Sequence, residues 1–317
     1  MPSLMRSIFG IGTENVRFDK RGFRCGPPET RHRLEHIGET FLTGYHTALE
    51  QPRDYRIAER LERVELADRG FAFEGAAMAL ALRDMLLPGS RTLTALMRGH
   101  GSRHVYMLHI GAGWALARLP WRPRIENAIQ CFDPLLRWLV VDGFGFHEGY
   151  FHWRDDEPPV PPAGLTREGL HAFDQGLGRA LWFKQCGDPE AIACVIRGFP
   201  QFRRRDLWGG LGLAAAYAGG IPQADLTQLE AIADHPAALG QGAVFAAKAR
   251  ELAGNPAPQT ELACSIFCRT SARLAAQIAD QTLAHLMSVD TKPRYRDWVL
   301  SVERRLAPSA RIPSCSE

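Results

Sequence analysis

FEGAAMALAL (73–82) and WGGLGLAAAY (208–217) are two of seven stretches in which a glycine lies within the same apolar, small-residue setting. The other five read HIGETFLTGY (36–45), HIGAGWALAR (109–118), VDGFGFHEGY (141–150), DQGLGRALWF (174–183) and GQGAVFAAKA (240–249). The shared glycines are Gly38, Gly75, Gly111, Gly143, Gly176, Gly210 and Gly242. They are 37, 36, 32, 33, 34 and 32 residues apart. This spacing is close to the period of about 34 residues that is typical of two-helix repeat units.

Each of the seven stretches is predicted to be helical, because apolar and small residues recur three and four positions apart without strict alternation. Shorter helices are expected between them at 91–97, 125–132, 190–197 and 226–233. Turn-forming dipeptides such as Pro88-Gly89 and Gly219-Gly220 separate the two kinds of helix. We therefore predict an all-α protein, a right-handed solenoid of about 33-residue helical hairpins. A closed α/α toroid is the alternative arrangement.

The repeat defines the expected domain organisation. Residues 31–290 are predicted to form one helical-repeat domain, with a capping segment at 1–30 and a C-terminal segment at 291–317. A glycine within a helix costs about 1 kcal/mol relative to alanine, so seven glycines in register need a reason. The position four residues later is mostly alanine, and both positions share one helix face. We therefore expect these small residues to allow close helix packing, and not to bind phosphate, since no strand pattern precedes them.

The composition excludes several classes of function. The chain has 317 residues, of which 45% are apolar and 23% charged, and its net charge of +3 gives no argument for nucleic-acid binding. No stretch approaches the roughly 20 apolar residues of a membrane span. The seven cysteines are scattered without a CxxC pair, so we expect buried free thiols in a reducing cytoplasm.

Several long strings resemble one particular family. They are RGFAFEGAAMALALRDML, YMLHIGAGWALAR, DPLLRWLVVDGFGFHEGYF, DQGLGRALWF, RRRDLWGGLGLAAAYAGG and LGQGAVFAAKAR. Together they resemble the family of unknown function found beside iterative polyketide synthases in bacterial enediyne gene clusters (the UnbL type). The resemblance runs from about Phe9 to about Leu286. It implies a cytoplasmic accessory protein that acts while a polyene becomes an enediyne core, and it supplies no catalytic residues.

His147 interrupts the small-residue pattern, because it replaces the alanine that other copies have four residues after the glycine. Histidine suits proton transfer near neutral pH, whereas the alternative is a hydrogen-bonded structural histidine. His147 and His152 are five residues apart, which places them about 140° apart around a helix and does not match the i, i+4 zinc motif. We therefore expect no metal. Glu148 and His152 are four residues apart and could form an acid–base pair or a simple surface pair.

A second set of polar residues lies beside the shared glycines. Glu74 and Asp142 directly precede the glycine in their copies, and Asp174 lies one position earlier still. Four residues after this position the same face carries aromatic residues or arginine: Trp114, Phe146 and Arg179. If the helices stack in register, these side chains line a groove suited to an elongated apolar ligand such as a polyene. The alternative is that the carboxylates pair between repeats, for instance Asp142 or Asp174 with Arg179.

Three functions are consistent with these patterns. The first is a cofactor-independent enzyme that cyclises or isomerises a linear polyene. In it His147 moves a proton with Glu148 or His152, while Glu74, Asp142 and Asp174 orient the substrate. The second is a non-catalytic scaffold that binds an iterative polyketide synthase or another pathway protein. The third is a carrier that shields a reactive polyene. An enclosed apolar pocket with converging polar groups favours the first or third, and an open charged face favours the second.

Overall fold

A computed structural model describes residues 4–119, 124–154, 157–290 and 292–307. These residues form an all-α structure without β-strands, which confirms the predicted fold class. The helices of the described residues are α1 (Leu4–Phe9), α2 (Phe18–Arg21), α3 (Pro28–Glu50), α4 (Asp54–Leu61), α5 (Arg69–Leu86), α6 (Thr92–Arg98), α7 (Val105–Arg118), α8 (Ile125–Ala128), α9 (Trp138–His152), α10 (Arg167–Lys184), α11 (Pro189–Arg197), α12 (Gln201–Ala218), α13 (Gln223–Ile232), α14 (Pro236–Ala253), α15 (Pro258–Phe267), α16 (Ala272–Val289) and α17 (Tyr295–Leu306).

The long helices pack side by side in chain order. Each neighbouring pair in the series α3, α5, α7, α9, α10, α12, α14 and α16 is in contact. Short helices connect most of these pairs, and α6, α8, α11 and α13 lie where the sequence predicts them. Turns between them use the predicted breakers, as at Gly219 and Gly220, whose φ values of +65° and +109° favour glycine. The middle of α5, from Gly70 to Leu82, is buried on every side because it lies between two neighbouring helices.

The glycines allow these helices to approach until their backbones touch. A Cβ atom at Gly111 would overlap the carbonyl oxygen of Glu74 on the preceding helix, and one at Gly176 would overlap that of Asp142. A second glycine, two residues after the first, has the same relation to the following helix, as Gly113 has to Val140. The glycines therefore act in packing, as the sequence predicts. Their pairing as GxG, with one glycine for each neighbour, is a feature that our sequence analysis did not single out.

The first copy of the repeat follows a different register from the one read in the sequence. Gly75 packs on the carbonyl oxygen of Phe41, so Leu42 occupies the position that Gly75 and Gly111 hold in their helices. Gly44 then corresponds to the second glycine of each pair, and it packs on Ala72 of α5. Gly38 lies one turn too early and faces Val16 of the N-terminal segment. The assignment of Gly38 to the repeat is therefore corrected.

Contacts also join the beginning of the series to its later helices. The ring of Phe71 on α5 packs edge-on against Tyr217 on α12, with centroids 5.1 Å apart. Arg33 of α3 donates a hydrogen bond of 3.3 Å to the carbonyl oxygen of Ala218. The buried Arg250 of α14 donates to carbonyl oxygens of Tyr217 and of Ala67, which precedes α5. Helices far apart in sequence are thus in contact through these residues.

The two terminal segments pack at different places along the series of long helices. Arg21 donates to the carbonyl oxygen of Tyr150 on α9, and the Arg24 amide donates to that of Lys184 on α10. Helix α17 packs on α14 and α16.

Among the described cysteines Cys186 and Cys264 are buried, but Cys25, Cys131 and Cys194 are exposed, contrary to the expectation of buried thiols. Cys315 lies outside the described residues. No helix in the described part of the chain is both long and apolar enough to span a bilayer.

Candidate functional site

A narrow cavity lies between the long helices α3, α5, α7, α9, α10 and α12. The volume of this cavity is about 60 Å³. The space is therefore a small slot, and a longer ligand needs the side chains of its walls to move. Its walls are mostly apolar, and Glu74 and Arg179 carry the charges among the described residues that line it.

One register position of the repeat supplies much of the wall. The residue three positions after the shared glycine lines the cavity in four consecutive long helices: Trp114, Phe146, Arg179 and Leu213. The rings of Trp114 and Phe146 lie 5.0 Å apart, and the Arg179 guanidinium lies 4.8 Å from the Phe146 ring centroid. The structure thus brings together Trp114, Phe146 and Arg179, which the sequence places on one face.

Three further aromatic residues that line the cavity were not predicted from the sequence, and they lie one helical turn after the residues just named. These residues lie seven positions after the shared glycine: Tyr150, Phe183 and Tyr217. A signal for them exists in the sequence, since each follows a cavity-lining residue by four positions on the same helix face. Phe41 of α3 also lines the cavity and was not among the predicted site residues.

Three buried charged residues form what we call the inner cluster: Glu74, Asp142 and Arg179. Arg179 of α10 donates a hydrogen bond to Asp142 of α9, and its Nη2 lies 3.6 Å from Oε1 of Glu74 on α5. The Trp114 indole donates to the same Glu74 oxygen at 3.0 Å. Asp142 accepts a hydrogen bond from Arg179 but does not line the cavity, whereas Glu74 does. Both sequence interpretations therefore apply here, since Asp142 pairs with Arg179 and the group faces a cavity.

The inner cluster contains two carboxyl groups and one guanidinium group. Burial raises the pKa of Glu74 to about 7; Arg179 opposes this effect and Asp142 adds to it. Burial likewise raises the pKa of Asp142. Burial alone lowers the pKa of Arg179, but the two carboxylates beside it raise the value overall. Near neutral pH Glu74 therefore exchanges a proton readily while Arg179 stays charged, which are the properties of a general acid or base.

Asp174 lies apart from the cavity, in contrast to the expected groove. It belongs to what we call the outer cluster: Asp174, Asp206, Arg203 and Arg296. Nε of Arg203 donates to Oδ2 of Asp174 at 2.9 Å, and Arg296 donates to Asp206. Asp174 is one position earlier than Glu74 in the repeat, which turns it about 100° around its helix and away from the cavity. It pairs with Arg203, and not with Arg179 as the sequence alternative suggested.

His147, Glu148 and His152 form what we call the histidine cluster, at the C-terminal end of α9. Nδ1 of His152 lies 3.1 Å from Oε1 of Glu148, so the predicted i, i+4 contact is present. Nδ1 of His147 lies 3.5 Å from the same oxygen. The two imidazole rings are only 5.5 Å apart, contrary to the separation expected from the helical wheel. The wheel describes Cα directions, whereas both side chains bend toward Glu148.

The histidine cluster lies beside the cavity and not inside it. His147 and His152 line a neighbouring open cleft of about 580 Å³, which shares Ile11, Asn15 and Phe151 with the cavity wall. His147 is 5% exposed, and burial lowers its pKa to about 4 against the opposing effect of Glu148. At neutral pH it is an uncharged imidazole, packed edge-on against the ring of Trp114.

Comparisons with known proteins give a family but no described activity. Searches of curated proteins and of solved structures found no match to this chain. A family profile described as "Protein of unknown function (DUF1702)" matches residues 1–306. The match covers all of the long helices and every residue of the inner, outer and histidine clusters. The chain therefore belongs to this family of proteins of unknown function.

Proposed function

We propose that the protein binds an elongated apolar molecule in the cavity and isomerises or cyclises it by proton transfer at Glu74. The observation that carries this proposal is a carboxyl group with a pKa of about 7 in an apolar slot, next to a fixed arginine. Enzymes use general bases whose pKa lies near the working pH, because such groups are available and still basic enough. Proton transfer of this kind needs no cofactor in the cavity.

We propose a linear conjugated polyene as the substrate class. The aromatic walls and the narrow width of the slot suit a flat, thin chain, and the resemblance to the enediyne-associated family suggests a product of a polyketide synthase. Role assignments follow from position. Glu74 moves the proton because it reaches the cavity, whereas His147 faces the neighbouring cleft. Asp142 orients Arg179, and Trp114 orients Glu74 through its indole hydrogen bond.

In the proposed reaction, Glu74 as carboxylate removes a proton from a carbon beside the conjugated system. The electron pair of that C–H bond moves into the chain, and the negative charge passes from Glu74 to the substrate. Arg179 stays charged beside both and stabilises the charge in its new position. Glu74 then returns the proton to a different carbon, so that a double bond moves and no atom is gained or lost. A chain held bent in the slot also has its reacting carbons close together for ring closure.

The proposed function favours the closed of the two predicted arrangements, in which helical hairpins surround a cavity. The contact between Phe71 and Tyr217, and the bonds from Arg33 and Arg250, support it because they join early and late helices. An open solenoid offers a continuous concave face for a protein partner. A slot walled by six long helices suits a small molecule better.

The test uses a linear conjugated polyene hydrocarbon in deuterated buffer. Binding is measured by native mass spectrometry, and conversion by the absorbance change and by deuterium uptake. We expect wild-type protein to bind and convert the polyene. Glu74→Gln should bind it with conversion reduced about 10²- to 10⁴-fold, the usual contribution of a general base. Glu303→Gln is the matched control, since Glu303 is also buried and accepts a hydrogen bond from Arg205 but lies outside the cavity.

The rival functions give different outcomes in the same experiment. Binding without conversion by wild-type protein identifies a carrier and overturns the catalytic proposal. Failure to bind any polyene, together with co-purification with a co-expressed polyketide synthase, identifies a scaffold. Equal conversion by wild-type protein and Glu74→Gln would leave the cavity as a binding site and remove Glu74 from the chemistry.

A further inference from the structure

We propose that His147, Glu148 and His152 bind a divalent first-row transition-metal ion in the cleft beside the cavity. This inference is independent of the proposed function, because it depends on different residues and a different space. His147 and His152 do not have the i, i+4 spacing of the zinc motif, and we therefore expected no metal there. The geometry of the side chains, which the spacing did not reveal, is the reason for this proposal.

The distances between the donor atoms fit shared coordination. Metal–nitrogen bonds of about 2.0–2.1 Å and metal–oxygen bonds of about 2.0–2.2 Å place neighbouring donor atoms roughly 3.0–3.4 Å apart. Oε1 of Glu148 lies 3.1 Å from Nδ1 of His152 and 3.5 Å from Nδ1 of His147. One donor atom from each of the three residues lies within 4.8 Å of the other two. The His152 side chain is about half exposed, so it has room to turn toward a shared ion.

An unpartnered buried atom in the cluster is the second observation. Nδ1 of His147 is buried and makes no hydrogen bond among the described residues. A buried polar atom without a partner destabilises the fold, because it has lost its hydrogen bonds to water. A metal ion between this nitrogen and Glu148 removes that destabilisation. The rings of Trp114 and Phe151 pack on His147 and fix its orientation, as the surroundings of a metal ligand do.

The donor set indicates the class of metal. Two imidazole nitrogens and one carboxylate suit Zn²⁺, Fe²⁺, Co²⁺ or Ni²⁺, whereas Ca²⁺ and Mg²⁺ prefer a shell of oxygens. Three protein ligands leave further coordination positions, which face the cleft and are open to water or a ligand. Arg118 and Glu14, which carry opposite charges, also line this cleft. The cleft shares Phe151 with the cavity wall, so a ligand bound to the metal would lie close to the slot.

The test is a Co²⁺ titration of chelator-treated protein from which the purification tag has been removed. Visible absorption reports Co²⁺ coordination, Zn²⁺ competition reports displacement, and elemental analysis gives the stoichiometry. We expect wild-type protein to bind one equivalent, with imidazole-type spectral bands. His152→Ala should weaken binding roughly a hundredfold. This variant should fold normally because the His152 side chain is about half exposed.

His171→Ala provides a matched control. Nδ1 of His171 likewise lies close to a buried carboxylate, 2.7 Å from Oδ2 of Asp206, and the positions four residues before and after it are Arg167 and Gln175. We expect it to bind Co²⁺ as wild type does. The proposal is overturned if wild-type protein binds no stoichiometric Co²⁺, or if His152→Ala and His171→Ala bind alike. In either case the histidine cluster is an i, i+4 pair with a buried histidine beside it.

Discussion

Two buried groups of charged residues both involve helix α10, and they differ in the balance of their charges. In the inner cluster, Glu74 and Asp142 share the single guanidinium of Arg179. When both carboxyl groups are ionised, one negative charge has no counter-charge. Protonation of Glu74 removes this imbalance, which adds to the effect of burial in raising the pKa of Glu74 to about 7.

The outer cluster has one arginine for each carboxylate. Arg203 pairs with Asp174 and Arg296 pairs with Asp206, which also lies 2.7 Å from Nδ1 of His171. Its charges are balanced with both acids ionised, although burial raises the pKa of Asp174 to about 6. The outer cluster also lies away from the cavity, between α10, α12 and α17.

The difference separates a structural ion pair from a group prepared for chemistry. Buried ion pairs with matched charges hold helices together, and Asp174, whose pKa is also raised, does not line the cavity. A buried group with an excess carboxyl, facing an apolar cavity, can change its protonation state near neutral pH. This contrast depends on the helix register that brings α5, α9 and α10 together, and on the ionisation of Glu74. Each can be changed by one substitution.

The largest expected effect comes from Gly176→Ala, which disturbs the packing between α9 and α10. A methyl group there overlaps the carbonyl oxygen of Asp142, so the helices must separate and Arg179 must move from Asp142. We expect the free energy of unfolding to fall by about 3 kcal/mol, at the upper end for overpacking. Chemical denaturation measures it.

Gly209→Ala is the control for this effect. The nearest atom to a methyl group there is the flexible Oε1 of Gln241, at 3.1 Å. Alanine is favoured over glycine within a helix by about 1 kcal/mol. This gain offsets the cost of the close contact with Gln241, so we expect little change in the free energy of unfolding. Equal losses in the two variants would show that glycine contacts do not set the register of the inner cluster.

The sequence predicts the packing of neighbouring helices well but not the contacts between helices far apart in the chain. Periodicity and breakers were enough for the long and short helices, and spacing was enough for the glycines from Gly75 onward. The first copy was misread because Gly38 also lies in a HIG string like that of Gly111. The contact of Phe71 with Tyr217 joins residues far apart in sequence, and no local pattern contains it.

For the candidate site, the sequence predicted which residues lie close together better than it predicted the role of each residue. Glu74 and Arg179 share the cavity because the repeat places them at related register positions. Asp174 was wrongly placed with them, since a shift of one residue turns a side chain about 100° around a helix. The proximity of His147 and His152 depends on side-chain bending, which the spacing does not describe.

The next effect concerns the dependence of stability on pH. Glu74 has an ordinary pKa of 4.5 when unfolded and about 7 when folded, so only the unfolded state is ionised between these values. Glu74 therefore destabilises the fold increasingly as the pH rises from about 4.5 to 7, by up to about 3 kcal/mol, and no further above that. The difference in unfolding free energy between Glu74→Gln and wild type, measured from pH 4 to 8.5, should follow this curve.

A flat difference over this range would mean that Glu74 ionises normally in the folded protein, and it would remove the contrast between the two clusters. Asp174→Asn extends the comparison. Its difference from wild type should develop at lower pH and end near pH 6, the value to which burial raises the pKa of Asp174.

The smallest expected effect tests the charge balance directly, through Asp142→Asn. With Asp142 neutral, Arg179 faces Glu74 alone, and the carboxylate that helps to raise the pKa of Glu74 is gone. We expect the Glu74 pKa to fall by about one unit, equivalent to about 1.4 kcal/mol. A ¹³C-NMR titration of labelled glutamate, assigned by comparison with Glu74→Gln, measures the shift. Asp174→Asn should leave the same signal unchanged, because the outer cluster does not contact Glu74. If both variants shifted it equally, the two groups would be one coupled network, and the distinction between a structural and a reactive cluster would have to be abandoned.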